Sequence, residues 1–500
     1  MSCSSDFAST GDKAVCAFTS DDAAAEVAAE ASAVTANAKP IKVKAIKSKV
    51  EPFVSTTNAC KLCKPLGATL VFKGIEGGVP FLHGSQGCAT YMRRYIISHF
   101  REPMDIASSA LGEKQAIYGG AANLKKGLLT VMDKYGAGMI GVATTCLTET
   151  IGDDVPGILL EFKKEFGDLN VAPVVQVSTP SYSGTHMEGF TAAVRAVADQ
   201  LATADVKTDM VNCFPGFVSC EDIRHLKDVF ASFGLKAAIL PDYSETLDGP
   251  ALEDYEKLPS GGTPVADINA MGGAPASFEF GATLSSPAEA GTAGGLLASR
   301  FGVALHRLGM PIGIRESDAF FQALESVSCT PTPRRHALER GRLVDALVDG
   351  HKYVSQKRCV IYGEEDLIVG LTSFMAEIGV IPVLVAGGGK SGRLKAAIEA
   401  ACEGLMPEMP EVAEGVDFYD IADRAKELAP DFFLGHSKGY RTAREMNVPL
   451  IRVGFPIHDR FGGHRLRHLC YLGSHEILDR VVNAMIEKKQ SDSDIGYGYI

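Results

Sequence analysis

Three cysteines in the first third of the chain, Cys63, Cys88 and Cys146, stand in settings that suit metal chemistry. Each borders a short apolar stretch and a loop that carries glycine or threonine, and a fourth loop of this kind carries Ser181. In a parallel α/β sheet the loops at the carboxyl ends of the strands meet at one edge, so residues far apart in sequence can lie together there. Thiolates surrounded by backbone N–H donors favour an iron–sulfur cluster, because sulfur is a soft ligand and the donors tune the sulfides.

Cys60 and Cys63 form a C-x-x-C motif that has three interpretations. A thioredoxin-like dithiol would lie at a helix N-terminus directly after a strand. A zinc site would need a second C-x-x-C pair, and the sequence has none. We favour Cys63 as a cluster ligand with Cys60 as a spare thiol, and the dithiol and the zinc site remain the alternatives.

The glycine-rich stretch at residues 387–392 (GGGKSG) resembles a phosphate-binding loop. A P-loop needs a further glycine five positions before the last glycine of its G-K-[ST], and that position is Leu384. The spacing therefore predicts a strand-to-helix turn, with anion binding at the helix start as the alternative.

Other residues with chemical potential are interpreted as structural. Six histidines lack the spacing of a metal motif and are expected to be satisfied packing or interface residues: His83, His99, His186, His458, His464 and His468. Asp153 and Asp154 are expected to cap a helix. Six further cysteines are expected to be small core residues: Cys213, Cys220, Cys329, Cys359, Cys402 and Cys470.

Strand-like and helix-like segments alternate along most of the chain. Apolar runs predict strands at residues 138–143, 172–177, 209–214, 237–240, 359–362, 380–386, 432–435 and 450–453. Helical periodicity predicts helices at residues 156–166, 190–201 and 220–233. This alternation, with nearly continuous apolar strands, is typical of doubly wound parallel sheets. We expect three Rossmann-like α/β domains, at residues 51–206, 207–352 and 353–500, the last with a C-terminal interface segment.

The bulk composition limits the class of protein. A chain of 500 residues suggests about three domains of roughly 150 residues. Apolar runs fall far short of the ~20 residues of a membrane span, and a net charge of −12 argues against nucleic acid as the main partner. Twelve cysteines in so long a chain do not indicate a disulfide framework, and no secretory signal is evident, so a reducing cytoplasm is expected.

Residues 1–50 read as a low-complexity solvated tail with free thiols at Cys3 and Cys16, or alternatively as an arm that wraps a partner.

Together these motifs resemble the β-type subunits of the nitrogenase component 1 family. The resemblance covers about residues 55–488 and leaves out only the N-terminal tail. Its most specific motifs are Cys63-Lys64-Pro65-Leu66-Gly67, His83-Gly84-Ser85-Gln86-Gly87-Cys88, His99-Phe100-Arg101-Glu102-Pro103, Tyr118-Gly119-Gly120, and residues 144–154 and 179–186. Later matches are Leu240-Pro241-Asp242-Tyr243-Ser244, Gly261-Gly262-Thr263 and residues 454–460.

The resemblance implies three Rossmann-like domains and an eight-iron P-cluster shared with an α-type subunit. The family's β-side cysteine ligands fall on Cys63, Cys88 and Cys146, and its serine that joins the oxidised cluster falls on Ser181. It further implies an α2β2 assembly, an ATP-hydrolysing iron protein that delivers electrons, and an active-site cofactor held by the α-type subunit. No catalytic residue is therefore expected in this chain.

Within the family three members compete. The full thiol set favours a working reductase, whereas the wording at residues 455–463 is closer to the scaffold that matures the nitrogenase cofactor. The alanine-rich tail differs from the helical N-terminal extension of molybdenum nitrogenase. This combination favours the methylthio-alkane reductases, which cleave C–S bonds reductively; the maturation scaffold and a dinitrogen-reducing nitrogenase remain the alternatives.

Overall fold

A computed structural model of the chain describes residues 59–167, 171–252, 254, 256–286 and 290–495. Residues 56–500 form one compact unit that contains three parallel β-sheets. The predicted α/β class with doubly wound parallel sheets is thereby confirmed. The predicted low-complexity tail at residues 1–50, with Cys3 and Cys16, lies outside the described residues.

The first sheet has the strand order β2-β1-β3-β4. Its strands are β1 (Gly78–His83), β2 (Ala107–Ser108), β3 (Met139–Thr144) and β4 (Val174–Val177). The helices that accompany it are α1 (Lys64–Lys73), α2 (Gln86–Phe100), α3 (Glu113–Tyr118), α4 (Ala121–Tyr135), α5 (Cys146–Ile151), α6 (Val155–Phe166) and α7 (His186–Leu201). All six residues of β1 and all six of β3 are buried, because helices cover both faces of the sheet.

The second sheet has the order β6-β5-β7-β8. It contains β5 (Val211–Phe214), β6 (Ala237–Ile239), β7 (Ala276–Phe280) and β8 (Ala304–Leu308). Its helices are α8 (Cys220–Ser232), α9 (Val265–Ala270), α10 (Ala293–Phe301), α11 (Gly313–Ser328) and α12 (Arg334–Val354). Ser219 caps α8 by accepting a hydrogen bond from the Asp222 backbone N–H, which explains why the helix begins where the periodicity predicted.

The third sheet has the order β11-β10-β9-β12-β13. It contains β9 (Arg358–Gly363), β10 (Ile381–Gly387), β11 (Glu411–Glu414), β12 (Phe432–Gly435) and β13 (Leu450–Arg452). Its helices are α13 (Glu365–Glu377), α14 (Leu394–Ala401), α15 (Phe418–Leu428), α16 (Tyr440–Glu445) and α17 (Cys470–Ser491). Helix α17 returns to pack along α12, so the C-terminal segment ties the second and third sheets together.

The three sheets fall inside the three predicted domain ranges, although the boundaries themselves remain a prediction. In each sheet, the connections that follow two neighbouring strands lead to opposite sides of the sheet. These pairs of strands are β1 and β3, β5 and β7, and β9 and β12. Such a neighbouring pair is a topological switch point, where the connecting loops diverge and leave a crevice at the carboxyl ends of the strands.

Every predicted strand and helix is present, with ends that differ by a few residues. The largest difference is α7, which begins at His186 rather than 190, because Thr185 and Glu188 form a capping box that starts the helix earlier. The sequence analysis gave no range for β1, β2, β7, β8 or β11. Strand β7 contains the buried polar residues Ser277 and Glu279, and β8 is an edge strand, so neither shows a continuous apolar run.

The glycine-rich stretch is a strand-to-helix turn, as the spacing predicted. It connects β10 to α14, and the carboxylate of Glu414 accepts hydrogen bonds from the backbone N–H groups of Gly392 (2.9 Å) and Leu394 (3.1 Å). A side chain of the protein therefore already occupies the position in which an anion would bind.

Two structural interpretations need correction. Asp154 caps α6 as expected, accepting a hydrogen bond from Gly157 N at 3.1 Å. Asp153 does not cap this helix; instead it accepts hydrogen bonds from Gly120 N and lies 3.0 Å from the His83 ring nitrogen. Cys329 is exposed at the C-terminus of α11, whereas the other five cysteines interpreted as core residues are buried.

Buried histidines join segments that are distant in sequence. His99 Nδ1 accepts a hydrogen bond from Ile457 N (3.0 Å), His464 contacts Asp248 (3.2 Å) and His468 contacts Asp222 (2.9 Å). These contacts fasten the loop after β13 to α2 and to the second sheet, in agreement with a structural interpretation of the histidines.

No helix among the described residues is both long and apolar enough to cross a membrane.

The crossing of α1 and α7 should tolerate no side chain at its glycines. A Cβ on Gly67 would lie 1.8 Å from the His186 carbonyl oxygen, and a Cβ on Gly189 would lie 1.9 Å from the Lys64 carbonyl oxygen. We expect Gly189→Ala to destabilise the protein by about 3 kcal/mol, as overpacking does when backbone must move. Thermal unfolding would measure this, with Gly341→Ala as the control. Gly341 lies in α12 with open space around it, so alanine there should stabilise the helix by about 1 kcal/mol.

The pH dependence of stability should report on His99. Burial and the neighbouring His464, His458 and His468 lower the pKa of His99 to about 3. Because the unfolded chain binds this proton more readily, stability falls as the pH drops below about 6.5, the ordinary histidine value, and continues to fall to the folded pKa. His99→Gln should therefore reduce the stability lost between about pH 7 and pH 5 by about 2 kcal/mol.

Denaturant unfolding of the purified protein at both pH values would measure this difference. His475 is partly exposed on α17 and lies 3.8 Å from Asp479, so His475→Gln serves as the matched control. An equal pH dependence in His99→Gln and the wild type would contradict the assignment.

Candidate metal centre

The switch point of the first sheet positions two of the three predicted thiols. β1 and β3 are paired in register up to His83 and Thr144 at their carboxyl ends. From there the chain enters α2, in which Cys88 is the third residue, and α5, in which Cys146 is the first. The two cysteines therefore lie at one edge of the sheet, as the sequence analysis expected.

The third thiol, Cys63, is placed by helix packing. Cys63 immediately precedes α1 and takes the N-cap position. Leu62 N donates a hydrogen bond to His186 Nδ1 (3.3 Å), and His186 N donates one to the Leu62 carbonyl (3.0 Å). This reciprocal pair fixes the backbone beside Cys63 to the start of α7.

Ser181 links two of the thiols directly. Its backbone N–H donates a hydrogen bond to Cys146 Sγ at 3.2 Å, and its side chain lies near the Cys63 thiol and lowers the pKa of that group. Cys88 Sγ accepts a hydrogen bond from Ser85 Oγ at 3.7 Å. All three cysteines are half-buried and free of disulfide bonds. The structure thus brings together all four residues that the sequence analysis singled out.

The electrostatic surroundings of the three thiols favour the binding of a metal cation. Burial, followed by the neighbouring Cys146 and Cys88, raises the pKa of the Cys63 thiol, while Ser181 and Lys438 oppose the shift. Because Cys146 and Cys88 lie close enough to disfavour ionisation of Cys63, this group of thiols would gain most from iron, which binds the thiolate form. Cys63 and Cys88 also lie in the first turns of α1 and α2, where the helix dipole favours negative charge.

The spacing of the thiols is wider than a single ion requires. Among the described residues no group of three or more His, Cys, Asp or Glu side chains is arranged to hold one metal ion. A polynuclear cluster can bind each sulfur at a different iron and needs no such convergence. For the same reason, the described residues offer no zinc site at the C-x-x-C motif.

Cys60 is directed away from the other thiols. Its Sγ lies 3.6 Å from His436 Nε2, and the residue packs among Val360, Tyr362 and other core residues of the third sheet. Burial raises the pKa of the Cys60 thiol to about 12, so the group stays protonated. The geometry supports a spare thiol, because the Cys60 sulfur contacts His436 rather than Cys63.

The third sheet contributes residues that the sequence analysis missed. Its switch point, between β9 and β12, places Glu364 directly after β9 and His436 and Lys438 directly after β12. Glu364 lies 3.1 Å from His186, and Lys438 Nζ donates hydrogen bonds to the Ala59 and Lys61 carbonyls (2.9 and 3.2 Å). The sequence could have indicated these residues, because each is polar and follows a predicted strand closely. Only the tertiary fold, however, brings them next to the Cys60–Cys63 segment.

Glu149 was also missed as an individual residue, although it lies within the recognised 144–154 motif. Its carboxylate accepts hydrogen bonds from the Thr144 hydroxyl and from Ser178 Oγ (2.5 Å). It thereby connects the end of β3 to the loop that leads to Ser181.

A cavity of about 640 Å³ lies between the three sheets, and among the cysteines that the structure describes Cys60 is the one that lines it. Its walls include Glu188, Thr283, Glu365 and Arg393, but none of Cys63, Cys88 and Cys146. We assign the metal centre to the thiols rather than to the cavity because soft ligands select iron, whereas the cavity offers mainly oxygen donors.

Comparisons with known proteins agree with this geometry. The sequence model of the family described as nitrogenase component 1 type oxidoreductase matches residues 63–486. The chain is 31% identical to the nitrogenase molybdenum-iron protein beta chain of Clostridium pasteurianum, over 88% of this chain and 96% of the relative. It is 33% identical to the nitrogenase vanadium-iron protein beta chain of Trichormus variabilis, over 86% and 94%.

A solved structure gives the same result. The chain superposes on a chain of "Nitrogenase Cp1 at pH 6.5" with a TM-score of 0.86 and 30% identity, over 91% of this chain and 98% of that one. Agreement of the family motifs with the overall fold leaves one assignment: this chain belongs to the nitrogenase component 1 type oxidoreductases and is a β-type subunit of that family.

Proposed function

We propose that this chain relays electrons through a P-cluster-type iron–sulfur cluster that it shares with an α-type subunit. Family membership supports the cluster itself, and Cys63, Cys88 and Cys146 are the ligands that we assign to it. The observation that carries the assignment is the hydrogen bond from Ser181 N to Cys146 Sγ, with the Ser181 side chain near Cys63, because it joins thiols that are 83 residues apart into one group.

The residues present fit such a cluster. The three thiols are free, half-buried and mutually close, and they are flanked by the N–H group of Ser181. Three sulfur ligands cannot complete even a four-iron cluster, so a partner must supply the others. Partial exposure of all three sulfurs is what a site at the boundary with another subunit requires.

The cluster would supply one-electron storage and transfer, and this chain's residues hold and insulate it. Cys63, Cys88 and Cys146 would bind iron as thiolates. Ser181 would hold two of the sulfurs in place through its N–H and hydroxyl groups, and the first turns of α1 and α2 would stabilise the negative charge.

The partners follow from this role. The α-type subunit would hold the active-site cofactor, in an α2β2 assembly, and an ATP-hydrolysing iron protein would deliver electrons. The glycine-rich turn supports ATP use by the partner rather than by this chain, since Glu414 occupies the helix N-terminus that a phosphate would need.

For the substrate, we propose reductive cleavage of the C–S bond of small methylthio-alkanes. One cleavage consumes two electrons and two protons and yields a thiol and a hydrocarbon. The nearly equal identity to molybdenum (31–33%) and vanadium (33%) nitrogenase beta chains supports a branch separate from both. The complete thiol set supports a working reductase over a maturation scaffold.

Removing a ligand thiol should remove iron without unfolding the protein. We expect Cys88→Ala or Cys146→Ala, in the complex purified without oxygen, to lose most of the cluster iron and its visible absorption. Iron analysis and far-ultraviolet circular dichroism would measure both effects. Cys60→Ala is the matched control, because it removes a neighbouring thiol that faces His436 and should leave the iron content unchanged. Full iron content in both ligand variants would refute the assignment.

The substrate can be tested with the purified complex, the iron protein and ATP. We expect a methylthio-alcohol to yield a thiol and a hydrocarbon, detected by gas chromatography, at a rate that depends on ATP. Reduction of dinitrogen and acetylene without thiol release would indicate a nitrogenase instead. A cluster-loaded complex that turns over none of these substrates would indicate a maturation scaffold.

A further inference from the structure

We propose that Lys438 is a positioning residue that tunes the cluster's redox potential: its ammonium is a fixed positive charge beside Cys63 that favours the reduced cluster. The inference rests on the proposed function, because it assumes that Cys63 binds the cluster. Nothing in the resemblance to the family assigned a role to this residue.

The position of Lys438 is set by three contacts. The residue lies in a short 3-10 turn, Ser437–Gly439, that follows β12. Its Nζ donates hydrogen bonds to the carbonyls of Ala59 (2.9 Å) and Lys61 (3.2 Å), and Lys61 is two residues before Cys63. The same Nζ lies 5.9 Å from the centre of the Tyr95 ring. Tyr95 is on α2, the helix that carries Cys88. The ammonium therefore lies between the segments that hold two of the assigned ligands.

The charge of Lys438 is not cancelled by a neighbouring ion pair. Within the part of the chain that the structure describes, no carboxylate lies within 4.0 Å of its Nζ. Glu364 is nearby, but its carboxylate contacts His186 at 3.1 Å. The other close groups are uncharged, since burial raises the pKa of Cys60 to about 12 and lowers that of His436 to about 3.

Electrostatics gives the direction of the effect. Lys438 Nζ lies 3.2 Å from the Lys61 carbonyl oxygen, in the segment that leads directly into Cys63. Each electron that enters the cluster adds a negative charge, and a half-buried cation stabilises that charge more strongly than a solvated one would, because water and salt screen it less. Lys438 should therefore raise the midpoint potential of the cluster, in the way that local charge tunes iron–sulfur centres generally.

The test compares two substitutions in the intact complex. Lys438→Gln removes the charge but keeps an N–H donor for the carbonyls of Ala59 and Lys61, and Lys438→Arg keeps both. The readout is the midpoint potential, from a redox titration monitored by electron paramagnetic resonance on samples with matched iron content. We expect a negative shift in Lys438→Gln that exceeds the scatter of replicate titrations, with most of the shift restored in Lys438→Arg.

A control variant distinguishes the effect of a charge next to the cluster from the effect of a charge elsewhere on the protein surface. Lys426, on α15, is exposed and lies 3.3 Å from Asp423, so Lys426→Gln removes the same charge from the protein surface and should leave the potential unchanged. An equal potential in Lys438→Gln and the wild type, at full iron content, would overturn the inference and leave the proposed function intact.

The remaining outcomes are also decisive. Loss of iron in Lys438→Gln but not in Lys438→Arg would support an action of the charge on the cluster. Loss in both variants would overturn it in favour of a purely structural anchor for the Cys60–Cys63 segment. Absence of cluster iron from the wild-type complex would instead refute the proposed function.

Discussion

The close crossing of α1 and α7 is the constraint on which the metal centre depends. Gly67 and Gly189 let the two helix backbones approach to a distance that no side chain would permit. This approach brings Cys63, at the start of α1, against the segment that carries Ser181 and leads into α7. Without it, Ser181 could not contact Cys63 and Cys146 at the same time, and the thiols would be three separate side chains on one sheet edge.

The site also depends on two sheets that face each other across the Cys60–Cys63 segment. The first sheet supplies Cys88 and Cys146 from its switch point, and the third sheet supplies Glu364, His436 and Lys438 from its own. Of these, Glu364 contacts His186, His436 contacts Cys60, and Lys438 holds backbone carbonyls. One sheet provides soft ligands, and the other provides hydrogen bonds and a positive charge around them.

Burial explains why the protein has many histidines and cysteines with no direct role in the chemistry. His99, His464 and His468 use ring nitrogens to join the loop after β13 to α2 and to the second sheet. Cys213, Cys359 and Cys470 are buried among apolar side chains, which raises the pKa of their thiols and keeps them unreactive. The three assigned ligands differ from these in being half-buried.

The sequence by itself determined the α/β class, most strands and the family, and it predicted the four residues of the candidate metal centre. Continuous apolar runs identify doubly buried strands such as β3, and the order of the cysteine motifs is specific enough to indicate a cluster. It could not reveal β7, because the burial of Glu279 depends on partners outside the strand, among them Arg307, a residue 28 positions away. Nor could it separate Asp153 from Asp154, since the partner of Asp153 is His83 in another loop.

Only the tertiary structure decided that Cys60 faces His436, that Ser181 joins two thiols and that Lys438 lies beside them. Each of these contacts joins segments whose approach is fixed by helix crossings and by the pairing order of the strands. The local sequence shows which residue types are present and predicts their secondary structure. The distances between loops depend instead on how whole sheets pack against one another.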